Sequence, residues 1–202
     1  MKPINTITGS LAPLPRANVD TDQIMPKKYL KRVERTGYGE FLFAEWKAAD
    51  PDFVLNRPEY RRARILVTGP NFGSGSSREH APWGLQDWGF DAIVAPSFAD
   101  IFKANCTKIG LLPVELHDKE VAWLMELAEA DPAAEVVIDL SAQTVSAQDG
   151  RPEPTFEARF PIDRYTKWRL ENGLDDIGLT LQHTESIDEF ERGRPRFSPR
   201  LP

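Results

Sequence analysis

The side chains best suited to chemistry lie in one run, Gly69-Pro-Asn-Phe-Gly-Ser-Gly-Ser-Ser-Arg-Glu-His80, directly after the apolar segment Ile65-Leu-Val-Thr68. Glycines let a backbone approach a ligand closely and turn its N–H groups toward it. The pattern predicts a strand, a loop and then a helix start that carries Arg78. A helix N-terminus adds unpaired donors and a positive dipole end. Arg78 adds a planar fork that matches a carboxylate or phosphate through two hydrogen bonds. The run is read as an anion site.

Three nucleotide-type or hydrolase-type readings fail on the residues. A P-loop needs a lysine before its Ser/Thr, and the run has none. A dinucleotide fingerprint would begin at Gly73-x-Gly75, but Arg78 stands where the third glycine must pack helix against strand. A nucleophile elbow needs glycines two residues away on both sides of a serine, which none of Ser74, Ser76 and Ser77 has. Small-anion binding remains, with Ser76 and Arg78 able to reach one ligand and the Ser77 N–H between them. For Ser76 two readings stand side by side. Donors and a nearby cation that stabilise its alkoxide would make it a general base for a carbon acid. Alternatively it only caps the helix, with Glu79 closing a capping box.

Other reactive side chains are less informative. His80, His117 and His183 are scattered and no His-x-x-x-His or Cys-x-x-Cys spacing occurs, so no self-contained metal site is expected. Cys106 reads as a small core residue, and Trp83 and Trp88 as core flanking a helix. Asp20 and Asp22 alternate with Val19 and Thr21, which fits either a solvated turn or a paired-acid site.

Composition narrows the classes. A chain of 202 residues with 41% hydrophobic content suits one domain with a real core, with or without a tail. A net charge of -6 argues against nucleic acid, which asks for a basic stripe. One cysteine excludes an internal disulfide, and equally an all-cysteine iron–sulfur site built by this chain alone. No apolar run approaches membrane-spanning length, and Met1-Lys-Pro-Ile-Asn lacks the apolar core of a signal peptide. The expectation is a soluble, cytoplasmic protein.

The elements that must position the loop follow from periodicity. A short opening strand is expected at about Ile4 to Gly9, bounded by Pro13, Pro15 and Asn18-Val-Asp-Thr-Asp22, and a short helix over Gly39–Ala49. Strands at Ala63–Thr68, Phe90–Ala95 and Leu111–Leu116 alternate with helices at Glu79–Asp87, Asp100–Asn105 and one capped by Asp118. That order implies parallel strands with right-handed crossovers. Short runs at Glu135–Leu140, Thr144–Ala147 and Thr155–Phe160 read as a meander. A helix from Pro161 to Asn172 and a short element from Asp175 to Leu181 follow. The division expected is a domain over 1–190 and a basic, proline-rich arm over 191–202, lying on a partner or disordered.

Several spaced motifs together resemble the swivelling domain of the aconitase superfamily. They are Asn18-Val-Asp-Thr-Asp-Gln-Ile24, Gly73-Ser-Gly-Ser-Ser-Arg-Glu-His-Ala81, Ser97-Phe-Ala-Asp-Ile-Phe102 with Gly110-Leu-Leu-Pro113, and Leu174-Asp-Asp-Ile-Gly-Leu-Thr-Leu181. Within that superfamily the chain is similar to the small subunits of bacterial 3-isopropylmalate dehydratases, the leucine-pathway isomerases. The resemblance implies an α/β fold with a β-sheet core (β/β/α) flanked by helices, a C-terminal helical segment and an extended tail.

It also implies a reaction. Such enzymes remove water from a hydroxy-acid and return it to the neighbouring carbon, here turning 2-isopropylmalate into 3-isopropylmalate. A four-iron four-sulfur cluster polarises the departing hydroxyl. With one cysteine here, the cluster is expected in the large-subunit partner, as a heterodimer or a dimer of heterodimers. The resemblance assigns Ser76 as the base that takes the proton alpha to a carboxylate, Arg78 as the substrate-carboxylate arginine and Ser77 as a backbone N–H donor. Asp22 matches an aspartate that orients a histidine of the other subunit.

In relatives the segment after Asp-Thr-Asp reads the substrate's side group. Here Leu30 and Val33 offer an aliphatic surface, whereas Lys31 and Arg32 offer cations. The first suits isopropyl, the second a third carboxylate. Two alternatives therefore stand beside the isomerase reading. One is a related hydro-lyase acting on citraconate, methylmalate or a homoaconitate-type acid. The other is a non-catalytic anion-binding module.

Overall fold

Nine consecutive extended residues, Thr6–Leu14 (β1), run through the middle of a seven-stranded sheet in this computed structural model. The structure describes residues 1–31, 34, 36–147 and 155–194. Arg32 and Val33, and residues 195–202 of the expected arm, lie outside the described residues. The strand order is β4-β3-β2-β1-β5-β6-β7. On one side of β1 lie parallel strands: β2 (Ile65–Thr68), β3 (Ala92–Ala95) and β4 (Leu112–Glu115). On the other side lies an antiparallel meander of β5 (Glu135–Asp139), β6 (Thr144–Ala147) and β7 (Phe156–Arg159). The α/β expectation and the meander are both found.

Burial explains the two textures. β2 and β3 are buried at every position, as parallel strands covered on both faces must be, and they read as unbroken apolar runs. β5 and β6 alternate, because one face only is covered. Helices α3 (His80–Trp88) and α4 (Asp100–Ile109) pack through Ala81, Leu85, Phe102 and Cys106 onto the face carrying Leu66 and Ile93. The opposite face, with Ile65, Val67 and Val114, packs with α5 (Asp118–Ala130) and with Val136, Ile138 and Val145 of the curled-over meander.

Several boundaries differ from the sequence reading, each for a local reason. β1 continues through Pro13, pairing Pro13 with Val67 and Leu14 with Thr68. Its antiparallel neighbour ends at Ser10, so beyond that point one side has no strand to receive an N–H, and an edge position tolerates proline. The single helix expected over Gly39–Ala49 splits into a 3₁₀ turn at Gly39–Phe41 and α2 (Ala44–Ala49), because Phe43 adopts φ 48°. At α5 it is His117, not Asp118, that holds the cap position; the Glu120 carboxylate accepts its N–H at 2.9 Å. α6 (Arg164–Glu171) starts later than Pro161, where Asp163 accepts the Thr166 N–H at 2.9 Å. Two further helices, α7 (Asp176–Leu181) and α8 (Thr184–Arg192), follow, and α8 crosses residue 190. Among the described residues no helix is long and apolar enough to cross a membrane.

The consequence for function is positional. Because β1, β2 and β3 are parallel, the loops that follow them all leave from one edge, the carboxyl end where ligands sit in open parallel sheets.

Candidate active site

The loop after β2 lies between the other two and is tied to both. On the β1 side, Gly73 donates its N–H to the Val19 carbonyl at 2.8 Å and Thr21 donates its N–H to the Ser74 carbonyl at 2.9 Å. On the β3 side, Phe72 donates to the Ser97 carbonyl at 3.1 Å and Ala99 donates back to Phe72 at 3.0 Å. Beneath the loop, Phe72 meets Phe102 edge-on at 5.3 Å and Phe98 stacks near Phe102. A short α1 (Thr21–Ile24) follows the β1 loop and anchors Thr21.

Gly73 must be glycine for two reasons. Its φ is +78°, and a Cβ there would lie 2.1 Å from the Cγ of Phe102. Gly73→Ala is therefore expected to lower unfolding stability by about 2–4 kcal/mol, from backbone strain plus overpacking. Denaturant unfolding of the chain measures it, and Phe102→Leu should recover part of the loss.

The loop shapes a cleft of about 230 Å³ lined by Thr21, Ser76, Ser77, Arg78 and the first turn of α4. Ser76 and Ser77 are exposed to it, and the Ser76 hydroxyl makes no hydrogen bond among the described residues. The capping reading of Ser76 is corrected: α3 begins at His80, Glu79 occupies the cap position, and no side chain caps it. Residues 76–78 lie in bent or irregular backbone short of the helix, so Arg78 precedes the helix rather than opening it.

Arg78 is largely covered, with its side chain 13% exposed, and one Nη donates to Asp22 Oδ1. The other oxygen of Asp22 faces Lys27 Nζ at 3.4 Å. Asp22 itself is 40% exposed, so Arg78 is braced at the surface rather than committed to an internal acid. Asp20 has a different role: it caps α1, accepting the Gln23 N–H at 2.7 Å while the Gln23 side chain accepts its own N–H at 2.9 Å. The two aspartates are thus not a paired-acid site. Beside Arg78, burial of His80 near Tyr38 and Trp83 lowers its pKa; Glu79 opposes this and Arg78 reinforces it.

Of the segment expected to read the substrate side group, Leu30 and Lys31 are described. Leu30 is half-buried and packs against the core, Lys31 is exposed, and neither lines the cleft. Sequence reasoning missed two contributors. Thr21 is 2% exposed and donates its Oγ1–H to the Ser76 carbonyl at 2.9 Å. The first turn of α4 supplies Ala99, Asp100 and the 54% exposed Ile101. The alternation of Thr21 with Asp20 and Asp22 was the visible signal for the first; the second had none, because the exposure of Ile101 is set by the fold.

The donor set does not fit an iron–sulfur cluster. Cys106 is fully buried, and burial pushes its thiol well above the usual range, the opposite of a thiolate ligand. Among the described residues no three His, Cys, Asp or Glu side chains gather as a metal site.

Comparison with known proteins agrees with the architecture. A family model described as Aconitase C-terminal domain matches residues 1–119. A model described as LeuD_N matches residues 123–163, and one for the C-terminal domain of the 3-isopropylmalate dehydratase small subunit matches residues 176–202. The chain is 55% identical over 201 residues to a 3-isopropylmalate dehydratase small subunit of Rubrobacter xylanophilus, covering 100% of both. It is 54% identical over 199 residues to that of Halalkalibacterium halodurans, covering 96% of this chain and 100% of the relative. A crystal structure of 3-isopropylmalate dehydratase from Methanocaldococcus jannaschii superposes with a TM-score of 0.63 at 24% identity, over 92% of this chain and 99% of that one, which shows a shared fold. With half or more of its residues shared over its whole length, the chain belongs to the 3-isopropylmalate dehydratase small-subunit family of the aconitase superfamily.

Proposed function

We propose that this chain supplies the base and the carboxylate anchor of an isomerase that converts 2-isopropylmalate into 3-isopropylmalate. The observation that carries the reading is the meeting of Ser76, Ser77 and Arg78 on one cleft at the carboxyl edge of the parallel strands. Arg78 would hold a substrate carboxylate through its free guanidinium N–H groups while Asp22 steadies the other end. The Ser76 alkoxide, stabilised by the Ser77 N–H, would take the proton from the carbon alpha to that carboxylate. The C–H electron pair becomes the alkene π bond as the neighbouring C–O bond breaks, and the departing hydroxide takes a proton from an acid of the partner subunit to leave as water. Return of the proton and of water to exchanged carbons completes the isomerisation.

The missing parts belong to a large subunit in this reading. It would carry the four-iron four-sulfur cluster, which would polarise the departing hydroxyl, and a histidine that Asp22 would orient. The assembly is a heterodimer, or a dimer of heterodimers, in the cytoplasm.

Reconstitution tests this. The chain alone should bind no iron and leave 2-isopropylmalate unchanged, and adding the large subunit should give turnover. Turnover by the chain alone would overturn the division of labour. A panel with citraconate, methylmalate and homoaconitate-type acids tests the substrate: a better rate on any of these would move the substrate assignment and leave the chemistry in place.

A further inference from the structure

We propose that Thr21 is a positioning residue that aims the Ser77 N–H into the cleft, and the inference rests on the reading of Ser76 as the base. The carbonyl of Ser76 and the N–H of Ser77 belong to one peptide unit. A peptide unit is planar and trans, so its C=O and N–H point in opposite directions and rotate as one body. Thr21 Oγ1 donates to that carbonyl at 2.9 Å from a side that is buried, since Thr21 is 2% exposed. Pulling the carbonyl inward turns the Ser77 N–H outward, toward the side on which Ser76 and Ser77 are exposed.

Thr21 is itself held at every polar atom, which makes it a firm anchor. Its N–H donates to the Ser74 carbonyl at 2.9 Å, and its own carbonyl accepts from Met25 at 2.9 Å inside α1. The Asp20–Gln23 capping box fixes the start of that helix. Gly73 and Gly75, at φ +78° and +86°, leave the loop between them with few restraints of its own. The hydroxyl of Thr21 supplies a restraint just past Gly75, on the peptide that matters. A hydrogen bond to the carbonyl also polarises the peptide, making the N–H a better donor to an alkoxide.

The test compares Thr21→Val, Thr21→Ala and Thr21→Ser in the enzyme assembled with its large subunit, with 2-isopropylmalate as substrate. Thr21→Val and Thr21→Ala should lower kcat at least about tenfold with KM within about threefold, because the Ser77 N–H sets how much of Ser76 stands as the alkoxide base and not how the substrate is bound. The rising limb of the kcat–pH profile should move to higher pH, since a less well solvated alkoxide forms less readily. Thr21→Ser, which keeps the hydroxyl, should restore both. In a Ser76→Ala background Thr21→Val should cost almost nothing further, because the group it serves is gone. A loss that adds fully to that of Ser76→Ala, or an unmoved pH profile, would make Thr21 a stability residue only. Normal kcat in Thr21→Val and Thr21→Ala beside an impaired Ser76→Ala would overturn the positioning role and leave the base in place. Normal turnover by Ser76→Ala would instead overturn the reading on which the proposal rests.

Discussion

Ser76→Ala should cut kcat of the assembled enzyme by at least about a hundredfold while leaving KM within about threefold, since a general base acts only as its proton moves. The structure sharpens the expectation in two ways. Ser76 is not a helix cap, so loss of its hydroxyl removes no capping bond from α3. Its tie to Thr21 runs through the carbonyl, which alanine retains. Melting temperature and assembly with the large subunit should therefore match the parent protein, which separates lost chemistry from lost structure. Steady-state rates in both directions provide the measurement, and near-normal turnover would place the base elsewhere.

What the sequence revealed of this site depended on how local each interaction is. Glycines and serines after an apolar strand announce an anion loop because the cause is confined to about ten residues. The strand-helix alternation from Ile65 to Glu115 was legible for the same reason, with each period lying inside its own element. Long-range bonds left no such trace. The Thr21 hydroxyl reaches Ser76 across 55 residues of chain, and no local rule joins a threonine in one loop to a carbonyl in another. Ser76 with Glu79 fits a capping box by spacing, yet tertiary ties hold residues 73–78 away from the helix and α3 waits until His80. The length of β1 was hidden by Pro13, which reads as a strand breaker until the fold shows which neighbour is absent beside it. Leu30 offers an aliphatic surface by its type, and the fold uses part of that surface for its own core.

Arg78→Lys is the second large effect, and it should fall on binding first. A charge-assisted hydrogen bond contributes about 1.5–3 kcal/mol, so loss of the fork should raise KM roughly ten- to a hundredfold. The arrangement at Asp22 explains why retained charge does not rescue it. Arginine can give one Nη to Asp22 Oδ1 and keep further donors in a fixed plane for a substrate carboxylate. Lysine offers one compact ammonium, which either stays with Asp22 or leaves it to meet the substrate. A drop in kcat should accompany the rise in KM, because a carboxylate held loosely no longer presents the adjacent C–H to Ser76. Lys31→Ala is the contrast: an exposed side chain outside the cleft should change preference among hydroxy-acids more than the rate on the best one. An Arg78→Lys enzyme with unchanged KM would mean that the carboxylate is held by another group, and that Arg78 serves only to brace Asp22.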